Sequence, residues 1–252
     1  MDVNELALRR TQMGRAVGAL AIRQDMEHRV ESGSWLLLTG APSPDVNMVL
    51  VHEGVEATLA DALNRIEDRD CPALVMLAGD GLELAAQFPD GWDAVGVMPM
   101  MTVDLATTPT TPDDRVRLAG PDDVEVLTAL LAESYGMPHD IAAIMSEGTA
   151  GGGTDMKAWL LEENGQAVST VATCLVDDGV SVWAMGTPER FGRRGYARAL
   201  LAAVLDRARN DGAKLGLLGA TPAGQPLYEA TGWRTVEDWQ IFTNATSAQF
   251  SH

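Results

Sequence analysis

The stretch "TPERFGRRGYARALL", residues 187–201, decides the fold of this chain. Within it lie two glycines and four arginines, which are Arg190, Arg193, Arg194 and Arg198. The apolar run "VSVWAMGT" precedes it, so the pattern predicts a strand, a tight turn and a helix from Gly195 to about Asn210. Free backbone N–H groups and the positive end of the helix dipole make such a turn a site for anions.

The positive charge of this stretch contrasts with the rest of the chain, which has a formal net charge of −18 over 252 residues. That balance argues against nucleic acid as a partner, because nucleic-acid-binding proteins present a broad basic face. Six of the eleven basic residues after residue 110 nevertheless fall between residues 190 and 209. Only Glu189 lies near the four arginines in sequence, so a bound anion explains them better than intrahelical ion pairs do. We expect a pyrophosphate, held by charge-assisted hydrogen bonds.

Other ligand-binding and targeting patterns are missing from the sequence. There is no GxxxxGK[ST] motif, and "GDGLEL" at 79–84 has only the first two glycines of a dinucleotide-binding turn. The cysteines Cys71 and Cys174 form no CxxC pair, so we predict neither a disulfide framework nor a metal site. No apolar run is long enough for a membrane span, and the N-terminus lacks a signal pattern. We therefore expect a cytoplasmic protein with no membrane partner.

The segment "DLATTPTTPDD", residues 104–114, separates two patterned regions and reads as a linker. We predict an N-terminal domain over 1–105, a linker over 106–114, a catalytic domain over 115–245 and a disordered tail over 246–252. In the first region the patterns predict a helix at 3–31, strands at 34–40 and 47–52, a helix at 55–69, a strand at 72–77, a short helix at 81–88 and a strand at 93–105.

The second region reads as a strand, two helices, a three-strand meander and then helix, strand, helix and strand. A flexible loop is expected at 148–155, between the second helix and the meander. This order predicts a mixed sheet flanked by helices, α+β in class. Both regions end with a short helix, a Gly-Trp pair and a strand, at Gly91 and Trp92 and again at Gly232 and Trp233. The parallel suggests a degenerate internal duplication.

Two motifs in the second region resemble the GNAT superfamily of acyl-CoA-dependent N-acyltransferases. "GRRGYA" at 192–197 resembles the signature [Q/R]-x-x-G-x-[G/A], with Gly192 in place of Gln or Arg. "TPAGQPLYEATGW" at 221–233 resembles N-x-x-A-x-x-L-Y-x-x-x-G-[F/W], with Thr221 in place of Asn and Gly224 in place of Ala. The resemblance covers about 115–245, and the first region resembles, more weakly, the degenerate half of tandem GNAT proteins.

The resemblance implies a GNAT-like fold in which acetyl-CoA lies where the fourth and fifth strands separate. The main chain of Met185, Gly186 and Thr187 would pair with the pantetheine arm and polarise the acetyl oxygen. The pyrophosphate would be held around the glycine-arginine turn, at Gly192, Arg193, Arg194, Gly195, Tyr196, Ala197 and Arg198, and Thr221 would stand beside the cofactor. Tyr228 matches the tyrosine that protonates the departing thiolate, and its Leu-Tyr-x-x-x-Gly-Trp context favours this acid role over packing of the ring alone.

The general base is less well defined by the sequence. The first two helices of the second region shape the acceptor side, which nominates Glu133, Tyr135 and His139, with Glu133 as the choice. Trp159 and Trp183 could line an acceptor pocket or belong to the core. We expect an N-acetyltransferase acting on a small-molecule primary amine, as a monomer or homodimer. A catalytically weak acyl-CoA-binding sensor or scaffold and a protein-lysine acetyltransferase stay open as alternatives.

Overall fold

The computed structural model describes residues 1–20, 23–150 and 155–246. Its helices and strands are, in chain order, α1 Val3–Val17, β1 Glu27–Val30, β2 Ser34–Leu38, β3 Asn47–Val51, α2 Glu56–Asp68, β4 Leu74–Leu77, β5 Asp93–Asp104, β6 Val116–Leu118, α3 Val124–Tyr135, α4 His139–Thr149, β7 Met156–Glu163, β8 Gln166–Val176, β9 Gly179–Gly186, α5 Tyr196–Asn210, β10 Leu215–Gly219, α6 Gln225–Glu229 and β11 Arg234–Thr243. Residues 151–154 of the loop expected at 148–155 and residues 247–252 of the tail expected at 246–252 lie outside the described residues.

The contacts divide the chain into two compact units. Residues 1–100 and the last strand form the first, and residues 101–234 form the second. This grouping differs from the predicted limits of 1–105 and 115–245. β11 pairs antiparallel with β4, from Gln240 opposite Leu77 to Thr243 opposite Leu74. A pairing between such distant segments leaves no local pattern in the sequence.

In the first unit, β1, β2 and β3 form an antiparallel meander, and β4 runs parallel to β3. The helix predicted over 3–31 is wrong beyond its first half, because α1 ends at Val17 and residues 27–30 form β1. Gly18 marks the change of direction: a Cβ there would lie 2.2 Å from the ring of His28. That ring also hydrogen bonds to the carbonyl of Gly14 at 2.7 Å, so a tertiary contact overrides the helical pattern.

In the second unit, β7 to β9 form the predicted three-strand antiparallel meander. β6 pairs antiparallel with β7, and β10 runs parallel to β9. Between β9 and β10 the chain passes through α5, whose apolar stripe is buried as expected, at Leu200, Leu201, Val204, Leu205 and Ala208. The sheet is mixed and flanked by helices, which confirms the predicted fold class. The end of β9 therefore leads directly into the glycine-arginine turn before α5.

The segment predicted as a linker is packed against the second unit. Leu105 is fully buried, and its N–H donates to the carbonyl of Lys214 at 2.9 Å. The hydroxyl of Thr110 donates to the carboxylate of Asp206 at 2.8 Å. These contacts hold the segment against α5, so it packs as part of the second unit.

Candidate active site

β9 and β10 pair over only part of their length. Their parallel register runs from Gly179 opposite Leu215 to Ser181 opposite Leu217 and then stops. β9 nevertheless continues to Gly186 and β10 to Gly219. The two strands therefore separate towards their C-terminal ends, and the expected gap between the fourth and fifth strands of this unit is present.

A β-bulge lies in β9 beside this gap. Thr170 of β8 pairs with Gly186, whereas Ala172 pairs with Trp183, so β9 contains one extra residue. Ala184 takes up the extra length with a φ of 48°. Bulges redirect the backbone locally, and this one takes Met185 out of the regular ladder. The sequence contains no signal for it, since alanine has no preference for a positive φ.

Two tyrosines converge on Met185. The hydroxyl of Tyr135, from α3, donates to the carbonyl oxygen of Met185 at 3.0 Å. The hydroxyl of Tyr228, from α6, contacts the sulfur of Met185 at 3.7 Å. The structure thus brings together three residues that the sequence nominated separately.

Tyr228 is buried, with 7% of its surface exposed, and burial raises the pKa of its phenol to about 12. The ring packs against Trp233 at 5.7 Å between centroids. A Cβ at Gly224 would lie 3.0 Å from this ring, which accounts for glycine where the family has alanine. Ring packing and a hydroxyl near the gap therefore coexist, and the phenol stays protonated at neutral pH.

The glycine-arginine turn has the geometry of an anion cradle. Gly195 caps α5 in the left-handed region with a φ of 82°, and no atom lies within 4 Å of the position its Cβ would take. In the part of the chain that the structure describes, the backbone N–H groups of residues 193–198 have no hydrogen-bond partner. The exposed side chains of Arg193, Arg194 and Arg198 have no carboxylate partner among the described residues either.

Gly192 does not add a free amide to this cradle. Its N–H donates to the carbonyl of Glu189 at 2.8 Å, and its φ is −60°. A Cβ at this position would lie 3.0 Å from the same carbonyl oxygen. Close packing of the turn therefore accounts for glycine where the family has Gln or Arg.

Glu189 is the acid that lies near the four arginines in sequence, but the structure brings a second acid close to one of them. Arg190 forms an ion pair with Glu133 of α3, and both side chains are about half exposed. The partners are far apart in sequence, so local charge spacing could not reveal the pair. The interaction ties the end of α3, which also carries Tyr135, to the turn after β9.

The other nominated side chains have partners of their own. His139 contacts Glu125 at 3.1 Å on the exposed surface of α3 and α4. The indole N–H of Trp159 donates to Thr173 at 2.8 Å, and that of Trp183 donates to Ser181 at 2.9 Å. These contacts hold both tryptophans against the meander.

Thr187 and Thr221, on the two sides of the gap, are also held in place. Thr187 shares a 2.7 Å hydrogen bond with Ser169, whose hydroxyl also contacts the carbonyl of Gly186 at 3.1 Å. The hydroxyl of Thr221 accepts from the N–H of Gly224 at 3.2 Å, within the turn that leads into α6. Sequence reasoning missed Ser169, because a serine inside an apolar strand carries no motif.

Two other kinds of site are absent from the described residues. They contain no group of three or more His, Cys, Asp or Glu side chains arranged to hold a metal ion. None of the helices among them has the length and apolarity needed to cross a membrane. Burial raises the pKa of the Cys174 thiol to about 11, as expected for a core residue rather than a nucleophile.

Sequence comparison supports the resemblance for the C-terminal half. Residues 141–247 match the family model described as an acetyltransferase (GNAT) domain. The resemblance to the GNAT acetyltransferases is thereby confirmed over this part of the chain. No curated protein matches the sequence at a significant level.

Solved structures share the fold over nearly the whole chain. A GCN5-related N-acetyltransferase from Kribbella flavida is similar with a TM-score of 0.67 and 16% identity, covering 94% of this chain and 96% of that chain. A GNAT-family acetyltransferase from Novosphingobium aromaticivorans DSM 12444 has a TM-score of 0.62 and 16% identity, over 95% and 99% of the two chains. A glucosamine N-acetyltransferase region of a fungal multi-domain β-N-acetylglucosaminidase has a TM-score of 0.59 and 11% identity, over 96% of this chain and 37% of that chain. At these identities the likeness shows the fold alone.

Proposed function

We propose that this protein is an acetyl-CoA-dependent N-acetyltransferase that transfers the acetyl group directly to a primary amine of a small molecule. The observation that carries the proposal is the gap between β9 and β10, with a bulge on one side and the Tyr228 hydroxyl beside it. Acetyl-CoA, when bound, supplies the activated acetyl thioester. The family match over 141–247 supports acetyl transfer, and the gap supplies the place for it.

The residues present fit such a cofactor. The unpaired N–H groups of residues 193–198 can take a pyrophosphate, and Arg193, Arg194 and Arg198 add positive charge there. The bulge takes Met185 out of the regular ladder, so that its main chain can pair with an extended arm in the gap. Gly186 and Thr187 are held rigid by Ser169, which favours a preorganised site.

Tyr228 is the proposed proton donor. As the bond between the amine nitrogen and the acetyl carbon forms, the carbon–sulfur bond breaks and the phenol protonates the departing sulfur. The pKa of Tyr228, raised to about 12 by burial, keeps the proton on the phenol until a stronger base is near. Burial also disfavours a thiolate, so the same environment raises the proton affinity of the departing sulfur.

The amine must lose a proton, and Glu133 is the proposed acceptor of that proton. Glu133 is half exposed on α3, the helix whose Tyr135 reaches Met185 beside the gap. Its ion pair with Arg190 holds the carboxylate at the same end of the unit as the cradle. A water molecule could relay the proton between the amine and this carboxylate.

The test is release of free thiol from acetyl-CoA in the presence of a library of amines. The library should include glucosamine, because a structural neighbour is named for that acceptor, and a lysine-containing peptide. We expect turnover with at least one small amine, an N-acetylated product by mass spectrometry and little turnover with the peptide. Binding of acetyl-CoA without turnover on any amine would favour the sensor or scaffold instead, and turnover with the peptide alone would favour a lysine acetyltransferase.

The remaining expectations belong to the same proposal. The second half of the chain would be catalytic and the first half a degenerate copy. The compartment would be the cytoplasm, and the protein would act as a monomer or homodimer. Size-exclusion chromatography with light scattering distinguishes the two assembly states.

A further inference from the structure

The first unit contains a cavity of about 190 Å³ between the start of α2 and the strands β1, β2 and β3. Its floor is apolar and includes Leu36 and Val49, which lie opposite each other in β2 and β3. Arg29 of β1 lies opposite Leu36, so the three side chains form one row on the face of the sheet that packs against α2. None of the described residues that line this cavity belongs to the candidate active site.

The two walls of the cavity are held together by Glu27 of β1. Its carboxylate accepts hydrogen bonds from Arg65 of α2 at 2.7 Å and from Arg69, at the end of α2, at 3.2 Å. The same carboxylate accepts from Nε of Arg29 at 2.9 Å, on the same face of β1. The spacing of β1 and α2 is therefore set before a ligand arrives, which lowers the entropic cost of binding.

The rim of the cavity carries charges of both signs that are not fully paired. Arg29 uses Nε for its hydrogen bond to Glu27, and its terminal nitrogens have no hydrogen bond to the described residues. An oxygen of Glu31 lies 3.9 Å from one of these nitrogens, which is longer than a hydrogen bond. Asp61, on the facing turn of α2, adds a carboxylate that Arg65 holds at 2.7 Å. A ligand therefore meets a guanidinium and a carboxylate side by side.

Two hydroxyl groups also line the cavity, at Ser34 and Thr58. The carbonyl of Ser34 accepts from the N–H of Glu31 at 2.8 Å, which places Ser34 beside the charged rim. Within the part of the chain that the structure describes, neither hydroxyl makes a hydrogen bond. The volume of the cavity is that of roughly six water molecules at about 30 Å³ each, so its occupant has about six non-hydrogen atoms.

We propose that this cavity binds a small α-amino acid such as alanine or serine. The terminal nitrogens of Arg29 donate charge-assisted hydrogen bonds to the α-carboxylate, and the α-ammonium donates to Glu31. The short side chain lies on Leu36 and Val49. A ligand with a single charge leaves Arg29 or Glu31 without a partner, and a large side chain exceeds the volume. The inference is independent of the proposed function, because it involves none of the acetyl-transfer residues.

Titration of the full chain, followed by ¹H–¹⁵N NMR, tests the class of ligand. The probes are L-alanine, L-serine, L-tryptophan, isobutyrate and isopropylamine; the last two replace the ammonium or the carboxylate of alanine by a methyl group. We expect saturable shifts of the amides at 29–36 and 57–62 with alanine and serine. The Kd for each of the other three probes should be higher by about tenfold or more, because each loses a charge-assisted interaction or is too large.

Substitutions in the lining test the placement of the ligand. Arg29→Gln and Glu31→Gln should each raise the Kd for alanine by about tenfold. Arg23→Gln and Glu67→Gln are the matched controls outside the lining, and should leave that Kd unchanged to within about twofold. Ala57→Leu fills the cavity from the first turn of α2 and should raise the Kd by about tenfold or more. Ala57 is exposed, so this variant should fold like the parent.

Three results would overturn the inference. The first is the absence of saturable shifts with L-alanine, and the second is equal affinity for alanine and isobutyrate, which would indicate a general anion site. The third is an unchanged Kd for alanine in Arg29→Gln or in Ala57→Leu. Release of thiol from acetyl-CoA enters none of these measurements, so failure of the proposed function would leave the amino-acid site standing, and the reverse also holds.

Discussion

The chain contains two parallel strand–helix–strand segments, β3–α2–β4 and β9–α5–β10, and they differ at the point where a cofactor could enter. β4 is paired with β3 over its whole length, and the N–H of Ala78 extends the pairing to the carbonyl of Val51 at 3.0 Å. β9 and β10 stop pairing after Ser181 and Leu217. The same topology therefore gives a closed seam in the first unit and an open gap in the second.

The starts of α2 and α5 also differ, in their charge and in the space around the glycine that precedes each helix. Around the start of α2, the sequence carries Glu53 and Glu56 and no arginine, and a Cβ at Gly54 would lie 3.0 Å from the carbonyl of Asp80. Before α5 lie Arg193 and Arg194, which have no carboxylate partner among the described residues, and the open space around Gly195. An acidic helix start is unfavourable for a pyrophosphate, because the carboxylates repel it.

Each unit also contains an aromatic pair further along the chain, after α2 and after α5. Phe88 packs on Trp92 at 5.4 Å and Tyr228 packs on Trp233 at 5.7 Å, each beside a Gly-Trp turn. The glycines of those turns have nearly equal φ values, 91° at Gly91 and 92° at Gly232. The local geometry agrees with a duplication. Of these two aromatic pairs, the one in the second unit carries the Tyr228 hydroxyl, and the one in the first unit has Phe88 without a hydroxyl. The second unit therefore differs from the first in the gap between β9 and β10, in the positive charge at the start of α5 and in the hydroxyl oxygen of Tyr228.

The largest expected effect comes from removing that oxygen. Tyr228→Phe should lower kcat by about 100-fold, because a positioned proton donor contributes this much or more, with KM for acetyl-CoA nearly unchanged. Thiol release under saturating amine measures both constants. Phe88→Tyr is the matched control in the first unit. It should not raise the activity of the parent, and combined with Tyr228→Phe it should not restore the lost activity. An unaltered kcat in Tyr228→Phe would remove this residue from the acid role.

Removing charge from the cradle should have the next largest effect. Replacing Arg193 and Arg194 together with Ala should weaken CoA binding by about tenfold at low salt and by less at high salt, since exposed charges are screened. Replacing Arg209 and Lys214 removes the same charge at the other end of α5 and should change CoA affinity little. Equal CoA affinity in the parent and the Arg193/Arg194 variant would contradict the pyrophosphate assignment.

A smaller effect is expected at the bulge, which the first unit lacks among its described strand pairs. Tyr135→Phe removes the hydrogen bond to the carbonyl of Met185 and should lower kcat by about fivefold, the usual size for one neutral hydrogen bond. The KM for acetyl-CoA should stay constant, because the cradle is untouched. A rise in that KM with constant kcat would show that Tyr135 supports binding rather than the position of the reacting main chain.

The pH profile should show no effect of tyrosine ionisation in the neutral and mildly basic range. Tyr228 acts in its protonated form, and burial raises its pKa to about 12, so the active form persists as the pH rises. A neutral amine is also needed, so kcat/KM should rise with pH and show no decline below about pH 10, where an ordinary tyrosine would already titrate. A decline in kcat/KM centred near pH 8 would contradict the buried environment of the Tyr228 phenol.

Much of the second unit could be predicted from the sequence, because its signals are local. Apolar alternation marks the meander, and a left-handed glycine before an apolar stripe marks the start of α5. The bulge at Ala184, the Glu133–Arg190 pair and the Tyr135–Met185 hydrogen bond could not be predicted, because each depends on contacts between distant segments. β1 and the pairing of β11 with β4 escaped prediction for the same reason.

Hydrogen–deuterium exchange with and without acetyl-CoA tests whether the cofactor occupies the gap between β9 and β10, because it observes both helix starts in one experiment. We expect slower exchange of the amides at 185–187 and 193–198 when acetyl-CoA is present, and no change at 51–58. Protection at 51–58, or unchanged exchange at 193–198 under saturating acetyl-CoA, would contradict the assignment of the gap between β9 and β10 as the cofactor site.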